Sequence, residues 1–194
     1  GGHYSTAKAL EKEFLSAGVN VTVVDMYYYA NKLMFRALDK GYLISTKYLK
    51  KPFRSAYTRL EQKSIYGKTY ASVISAKSLV MRKLSAYFHR HKFDAVISTH
   101  VFAAIVMDEL KERGIVQMPV IGIITDYCIH PFWEETVNID YIVTASELLN
   151  YTAILRGINS KRLLPLGIPV LSKFRKRVPK EEARRKLKMD PWKK

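Results

Sequence analysis

Three short segments of the sequence carry side chains whose types and spacing could support chemistry. One of them, Gly1, Gly2 and His3, directly precedes a predicted helix. Glycines let the backbone approach a ligand closely, a helix N-terminus offers free N–H groups to an anion, and an imidazole can act as a general base. The alternative is that His3 only caps the helix. Another segment, GIP at 167–169, is typical of a tight turn and by itself indicates no more.

The longest of the three segments, TDYCIHPFW at residues 125–133, follows a predicted strand. Asp126, His130 and Trp133 are then expected at the carboxyl end of that strand, where ligand sites form in parallel sheets. A carboxylate beside an imidazole orients the ring and raises its basicity. The alternative is a loop in which Asp126 caps a turn and Trp133 packs. A metal site is disfavoured because the spacing of Asp126, Cys128 and His130 fits no common zinc pattern, and Cys128 is expected to be buried.

The elements that must position these segments alternate along the chain. Apolar residues at helical spacing predict helices, and short β-rich runs between them predict strands. The predicted helices cover residues 4–17, 69–91, 101–113, 147–156 and the tail segment EEARRKLKM, and the predicted strands cover residues 19–24, 94–98, 119–124, 141–144 and 162–166. Gly18, Gly114 and Gly157 are placed to end three of the helices. The alternation predicts an α/β fold, with a parallel sheet and helices on both of its faces.

Charge is distributed in blocks along the 194 residues. The net charge is +16, and two basic blocks, residues 32–92 and 161–194, flank an acidic segment, residues 93–160. Such a field attracts nucleic acid, anionic lipid or another polyanion without choosing between them. The single cysteine excludes a disulfide framework, and no apolar run approaches the roughly 18 residues that a membrane span needs.

Residues 25–68 interrupt the alternation of helices and strands. The segment is rich in Lys, Arg, Tyr and Phe, and its pattern indicates one or two helices with Pro52 as a breaker. Cations interleaved with aromatic rings suit a membrane interface, where they meet anionic headgroups. The same mixture suits single-stranded nucleic acid, through stacking and phosphate contacts. A third interpretation is a pair of ordinary amphipathic helices with a basic, solvated face.

Taken together, the motifs resemble the N-terminal half of one glycosyltransferase group. GGH at a helix start, TDYxxHxxW at 125–133, Ser146–Glu147 and GIPV at 167–170 occur in the same order in the monogalactosyldiacylglycerol synthases and the related processive diacylglycerol glucosyltransferases. The resemblance implies a GT-B fold, with two Rossmann-like domains facing each other across a cleft. In that family the N-terminal domain holds the lipid acceptor and meets the membrane, and the C-terminal domain binds the sugar nucleotide.

The resemblance also implies an activity and a location. The activity is transfer of a hexose from a UDP-sugar to the free hydroxyl of diacylglycerol, with the UDP-sugar as a co-substrate, no other cofactor and no metal. The location is the cytoplasmic face of the cell membrane, where an anionic surface is the expected partner and nucleic acid is not.

The resemblance assigns roles to particular residues. His3 and Asp126 are the two candidates for the catalytic base, and the motifs do not decide between them. The residues expected in the cleft on the acceptor side are Gly1, Gly2, His130, Trp133, Gly167 and Pro169. The residues expected to contact the membrane are Tyr42, Lys47, Lys50, Lys51, Phe53 and Arg54.

Two departures from the family pattern shape the expected domain organisation. In the family pattern a first strand is expected just before Gly1 and a nucleotide-binding domain after Lys194, and the 194 residues include neither. Residues 1–171 are therefore interpreted as the acceptor domain and residues 172–194 as a linker. By this interpretation the chain alone is not expected to turn over.

Two competing functions remain open at this point. A related enzyme adds N-acetylglucosamine to a lipid-linked peptidoglycan precursor, and it shares the two-domain fold, a glycine-rich loop with His and a basic membrane face. TDYxxHxxW favours the diacylglycerol group over that enzyme. The other alternative is a basic nucleic-acid-binding module, which makes no use of the acidic segment that holds the motifs and has no standard signature.

Overall fold

A computed structural model describes residues 2–30, 68–175 and 177–190. Its helices are α1 (Gly2–Ser16), α2 (Met26–Ala30), α3 (Lys68–Arg90), α4 (Val101–Glu112), α5 (Glu147–Leu155) and α6 (Lys180–Lys186). Its strands are β1 (Val96–Ser98), β2 (Val120–Ile123), β3 (Tyr141–Val143) and β4 (Leu163–Leu164). Short 3₁₀ turns cover Pro131–Glu135, Ser160–Arg162 and Ser172–Phe174.

The four strands form one parallel sheet in the order β1-β2-β3-β4. Val96 pairs with Val120, Ile121 with Tyr141 and Ile142 with Leu163. Parallel strands need crossover connections, which α4 and α5 supply between β1 and β2 and between β3 and β4. The prediction of an α/β fold with a Rossmann-like parallel sheet flanked by helices is confirmed, and each predicted strand from residue 94 onward contains an observed, shorter strand.

The core lies between the sheet and the helices that flank it. Leu110 of α4, Val120 of β2 and Ile142 of β3 are fully buried within one continuous apolar cluster. Gly122 of β2 faces the indole of Trp133, and a Cβ atom at this position would lie 2.5 Å from Cζ3 of that ring. A glycine inside a strand often marks such a close approach. Gly122 therefore makes room for the largest side chain of the core.

Buried Asp108 of α4 fixes the chain just before β3. Its Oδ1 accepts the backbone N–H groups of Asn138 at 2.6 Å and Ile139 at 3.0 Å, and its Oδ2 accepts from Asn138 Nδ2 at 2.9 Å. A buried carboxylate is costly unless it is hydrogen-bonded in this way. The sequence pattern did not single out Asp108, and the structure gives it a role in positioning β3.

Asp140 makes a second clamp at the amino ends of β2 and β3. Its Oδ2 accepts the Val120 N–H at 2.7 Å and lies 2.9 Å from Lys111 Nζ. Burial opposes the charged form, but the Lys111 ammonium and the Val120 N–H outweigh it, so the pKa of Asp140 lies below its ordinary value. The carboxylate therefore stabilises the start of the sheet in its ionised form.

The prediction of a strand at residues 19–24 is wrong. Residues 19–25 have no regular secondary structure, and Val19 and Val24 are exposed. Valine favours strands, but a strand also needs a neighbour that pairs its N–H and C=O groups. Among the described residues, no strand pairs with this segment. By contrast, Gly18, Gly114 and Gly157 follow helices with positive φ, as predicted.

The chain divides into two compact units. One consists of Gly1–Thr22 and Pro169–Lys194 and contains α1 and α6; the other consists of Val23–Ile168 and contains the sheet with α2 to α5. The predicted boundary between residues 171 and 172 stays a prediction. The predicted membrane-contacting residues, from Tyr42 to Arg54, lie outside the described residues. Within the described ranges, no helix is both long and apolar enough to span a bilayer.

Candidate functional site

The carboxyl ends of the four strands lie at one edge of the sheet. At the end of the ladder Ile123 pairs with Val143, and Val143 pairs with Leu164, so the loops that follow β2, β3 and β4 start side by side. Two hydrogen bonds extend this alignment beyond the strands, from the Ile124 N–H to the Val143 carbonyl and from the Thr144 N–H to the Leu164 carbonyl, both 2.9 Å. This carboxyl edge is where open α/β sheets bind ligands.

The loop after β2 presents Asp126 to solvent at this edge. Asp126, Tyr127 and Cys128 are all exposed, and Ile129 returns into the core. The prediction that Cys128 is buried is wrong, because the chain leaves the sheet at residue 125 and Ile129 takes the buried position. An exposed carboxylate at a strand end can accept the proton of a hydroxyl group, so the position of Asp126 suits a general base.

His130 caps the 3₁₀ turn Pro131–Glu135. The Phe132 N–H donates to His130 Nδ1 at 3.2 Å, and the imidazole is half-buried. Because Nδ1 accepts this bond, the proton of the neutral imidazole lies on Nε2. His130 therefore has a fixed ring orientation and one N–H donor, four residues from Asp126 in the same loop.

The structure adds His100, which the sequence pattern did not single out. His100 caps α4 as His130 caps its turn, with Nδ1 accepting the Phe102 N–H at 3.2 Å. The rings of His100 and Phe102, Phe102 and Phe132, and Phe132 and His130 lie with their centroids 5.5, 5.3 and 4.8 Å apart. This aromatic row joins the loop after β1 to the loop after β2. A repeated His-x-Phe spacing was the available sequence signal.

Trp133 has a packing role in the structure. Its side chain is 3% exposed and lies against Gly122 and the core. Of the two interpretations offered for this residue, packing is the one that its position supports. Trp133 has almost no accessible surface, and its expected role in the acceptor cleft stays a prediction.

Gly167 brings the loop after β4 against the start of α5. Its φ is 86°, a conformation that favours glycine, and its N–H donates to the Thr144 carbonyl at 3.0 Å. Fully buried Thr144 also bonds the Ser146 carbonyl through its hydroxyl at 3.3 Å. Gly167, the first residue of the predicted GIP motif, thus lies beside the segment that leads into the predicted Ser146–Glu147 motif. Pro169 begins the segment that belongs to the other compact unit.

The N-terminal motif lies in the other compact unit. Gly2 and His3 form the first turn of α1, which begins two residues before the predicted helix start, and Gly1 lies outside the described residues. Whether His3 shares a site with Asp126 and His130 stays a prediction, as does the choice between His3 and Asp126 as the base. Among the described residues, no cluster of three or more His, Cys, Asp or Glu could hold a metal ion.

Comparison with known proteins identifies one family. The family model for monogalactosyldiacylglycerol (MGDG) synthase matches residues 3–170. A processive diacylglycerol beta-glucosyltransferase of Bacillus cytotoxicus is 30% identical over 174 residues, which are 89% of this chain and 43% of that protein. Proteins of the same name from Bacillus thuringiensis and Bacillus anthracis are 28% identical over the same shares. The chain therefore spans less than half the length of these relatives.

Proposed function

The chain belongs to the monogalactosyldiacylglycerol synthase family, and we propose that it is the acceptor-binding part of a diacylglycerol glycosyltransferase. The observation that carries the proposal is the family match over residues 3–170, which includes His3 and the whole of the TDYCIHPFW and GIP motifs. The fold supports it, because a parallel α/β sheet is what the N-terminal half of a GT-B enzyme requires. The proposed reaction moves a hexose from a UDP-sugar to diacylglycerol at the cytoplasmic face of the cell membrane.

In this reaction the free hydroxyl oxygen of diacylglycerol bonds to the anomeric carbon of the hexose. The bond between that carbon and the diphosphate breaks, UDP leaves with the electron pair, and a base takes the hydroxyl proton. Asp126 is exposed at the carboxyl edge and suits this role, with His3 as the second candidate. We place the residues that hold the UDP-sugar in the part of the relatives' length that this chain does not span.

The His130 ring would contribute orientation rather than proton abstraction. Its Nδ1 accepts the Phe132 N–H, so this nitrogen is not available to abstract a proton. An imidazole held in this way can position the loop whose exposed carboxylate, at Asp126, takes the proton. Preorganisation of this kind lowers the barrier because the orientation is set before the reaction begins.

Membrane contact would come from the basic, aromatic segment that contains Tyr42, Lys47, Lys50, Lys51, Phe53 and Arg54. Each cation near an anionic surface contributes about 1 kcal/mol, so a few of them give reversible binding. We expect binding to vesicles to rise with their anionic lipid content and to fall with salt, as co-sedimentation would measure. Equal binding to neutral and anionic vesicles would remove this part of the proposal.

The proposed function as a whole is tested by finding which acceptor lipid receives the sugar. The complete protein that contains this chain is incubated with radiolabelled UDP-glucose or UDP-galactose and either diacylglycerol or the lipid-linked peptidoglycan precursor. The expected product is a labelled glycolipid formed from diacylglycerol alone. Label that enters only the peptidoglycan precursor, or neither acceptor, would contradict the proposal. The 194-residue chain serves as the control, and it is expected to give no product.

A further inference from the structure

The carboxyl edge of the sheet carries an unusual set of exposed apolar side chains. Tyr127, Leu148 and Leu166 are 88%, 79% and 74% exposed, the three highest values among the large apolar residues in the described part of the chain. They follow three neighbouring strands, β2, β3 and β4, in turn. Single exposed apolar residues are ordinary on a protein surface, but several gathered beside a candidate site indicate a binding surface. We call these three residues the apolar rim.

The strand register and one backbone hydrogen bond bring together the starts of the loops that carry the apolar rim. Adjacent strands lie about 4.8 Å apart, and the register aligns the ends of β2, β3 and β4. The Gly167 N–H bond to the Thr144 carbonyl then fixes the Leu166 loop beside the start of α5, where Leu148 is the second residue. The exposure of these side chains is therefore a property of a well-supported edge.

The charges beside the apolar rim select the kind of lipid that would suit it. Asp126 precedes Tyr127, Glu147 precedes Leu148, and both carboxylates are exposed. They repel phosphate headgroups, whereas a carboxylate accepts a hydrogen bond from a hydroxyl group. Covering leucine and tyrosine side chains with acyl chains removes apolar surface from water, which lowers the free energy. The combination fits a lipid with acyl chains, a free hydroxyl and no charge.

From these observations we infer that the apolar rim holds the glyceride and upper acyl region of diacylglycerol, with its free hydroxyl directed to the carboxylate at residue 126. The inference rests on the proposed function, from which the identity of the lipid is taken. By this inference the chain contacts two kinds of lipid at two different places. The uncharged acceptor binds at the carboxyl edge of the sheet, and anionic phospholipid binds at the basic segment. Leu148 and Leu166 become residues that set acceptor affinity.

The test is flotation of the 194-residue chain with phosphatidylcholine vesicles, with and without dioleoylglycerol, at high salt so that the basic blocks contribute little. Dioleoylglycerol is expected to increase binding of the unchanged chain. Leu148→Ser and Leu166→Ser are each expected to weaken that binding about tenfold, because one large apolar contact is lost. These residues are exposed, so their replacement leaves the core intact, and circular dichroism verifies folding.

Two variants with matched exposure serve as controls. Leu155 lies at the far end of the same helix and is 69% exposed, and Leu187 is 70% exposed after α6. Leu155→Ser and Leu187→Ser are expected to bind as the unchanged chain does. Binding that does not rise with dioleoylglycerol, or rim variants that bind like the controls, would overturn the inference. If the flotation results contradict the apolar rim while the complete protein still glycosylates diacylglycerol, the proposed function stands. If dioleoylglycerol binds at the apolar rim but the complete protein does not glycosylate diacylglycerol, only the proposed function is overturned.

Discussion

The two edges of the parallel sheet differ in how their polar and apolar groups are used. At the amino edge, the carboxylates of Asp108 and Asp140 are engaged by backbone N–H groups and, for Asp140, by Lys111. At the carboxyl edge, Asp126 and the apolar side chains of Tyr127 and Leu148 face solvent. The same residue type therefore stabilises the fold at one edge and remains accessible to a ligand at the other.

This difference explains why carboxylates alone do not identify a site. Asp108 is more deeply buried than Asp126, and its hydrogen bonds position β3. A carboxylate that is buried and accepts three hydrogen bonds within the protein is not accessible to a substrate hydroxyl. Substitutions of the hydrogen-bonded carboxylates Asp108 and Asp140 should therefore change stability, and substitutions at the carboxyl edge should change ligand binding and activity.

The largest effect on stability is expected from Asp108→Ala. The change removes three hydrogen bonds and leaves the N–H groups of Asn138 and Ile139 buried without their acceptor, at a cost of about 3 kcal/mol. Urea unfolding followed by circular dichroism measures the loss. Asp94→Ala, at an exposed position before β1, should stay within about 0.5 kcal/mol of the unchanged chain. Equal stability of the two variants would mean that Asp108 does not support the fold.

The next largest effect is expected from Gly122→Ala. A Cβ atom 2.5 Å from Trp133 forces the indole or the strand to shift, and such overpacking costs about 1–3 kcal/mol. Thermal unfolding measures the change. Combining it with Trp133→Phe should recover part of the loss, because the smaller ring makes room for the new methyl group. Gly2→Ala, where nothing lies within 4 Å, is the matched control.

The smallest effect concerns pH. The pKa of Asp140 is lower in the folded state than in the unfolded chain, so its contribution is complete above the ordinary value of about 3.9 and is lost as pH falls towards the folded value. Because the pair with Lys111 is partly exposed, the contribution stays below about 1 kcal/mol. Asp140→Asn should therefore flatten the acid side of the stability profile. An unchanged profile would show that the clamp adds nothing through charge.

Much of the fold could be predicted because it depends on local signals. Short β-rich runs predicted β1 to β4, and glycines at 18, 114 and 157 predicted where helices end. The strand predicted at residues 19–24 failed because pairing depends on a neighbour that local sequence does not reveal. Cys128 was expected to be buried because a lone cysteine commonly behaves as a small core side chain, whereas the structure exposes it in the loop after β2.

The candidate site was predicted in part. Asp126 and His130 follow β2 as expected, because the carboxyl end of a strand could be located from sequence. Asp108 was missed since its role depends on contacts with residues about 30 positions away. His100 was missed although the repeated His-x-Phe spacing is a local signal. For Trp133 the sequence offered both packing and a place in the cleft, and its burial against Gly122 supports packing.

Sugar transfer to diacylglycerol by the complete protein tests the central claim most directly. The two test variants are His3→Ala and Asp126→Asn. The control is Asp94→Asn, which changes an exposed carboxylate at the amino edge. Removing a general base typically lowers the rate about 10²–10⁴-fold. We expect the rate of transfer to diacylglycerol to fall by this factor in one of the two test variants and to stay unchanged in Asp94→Asn. All three variants are expected to keep the fold. Full activity in both His3→Ala and Asp126→Asn would contradict the account.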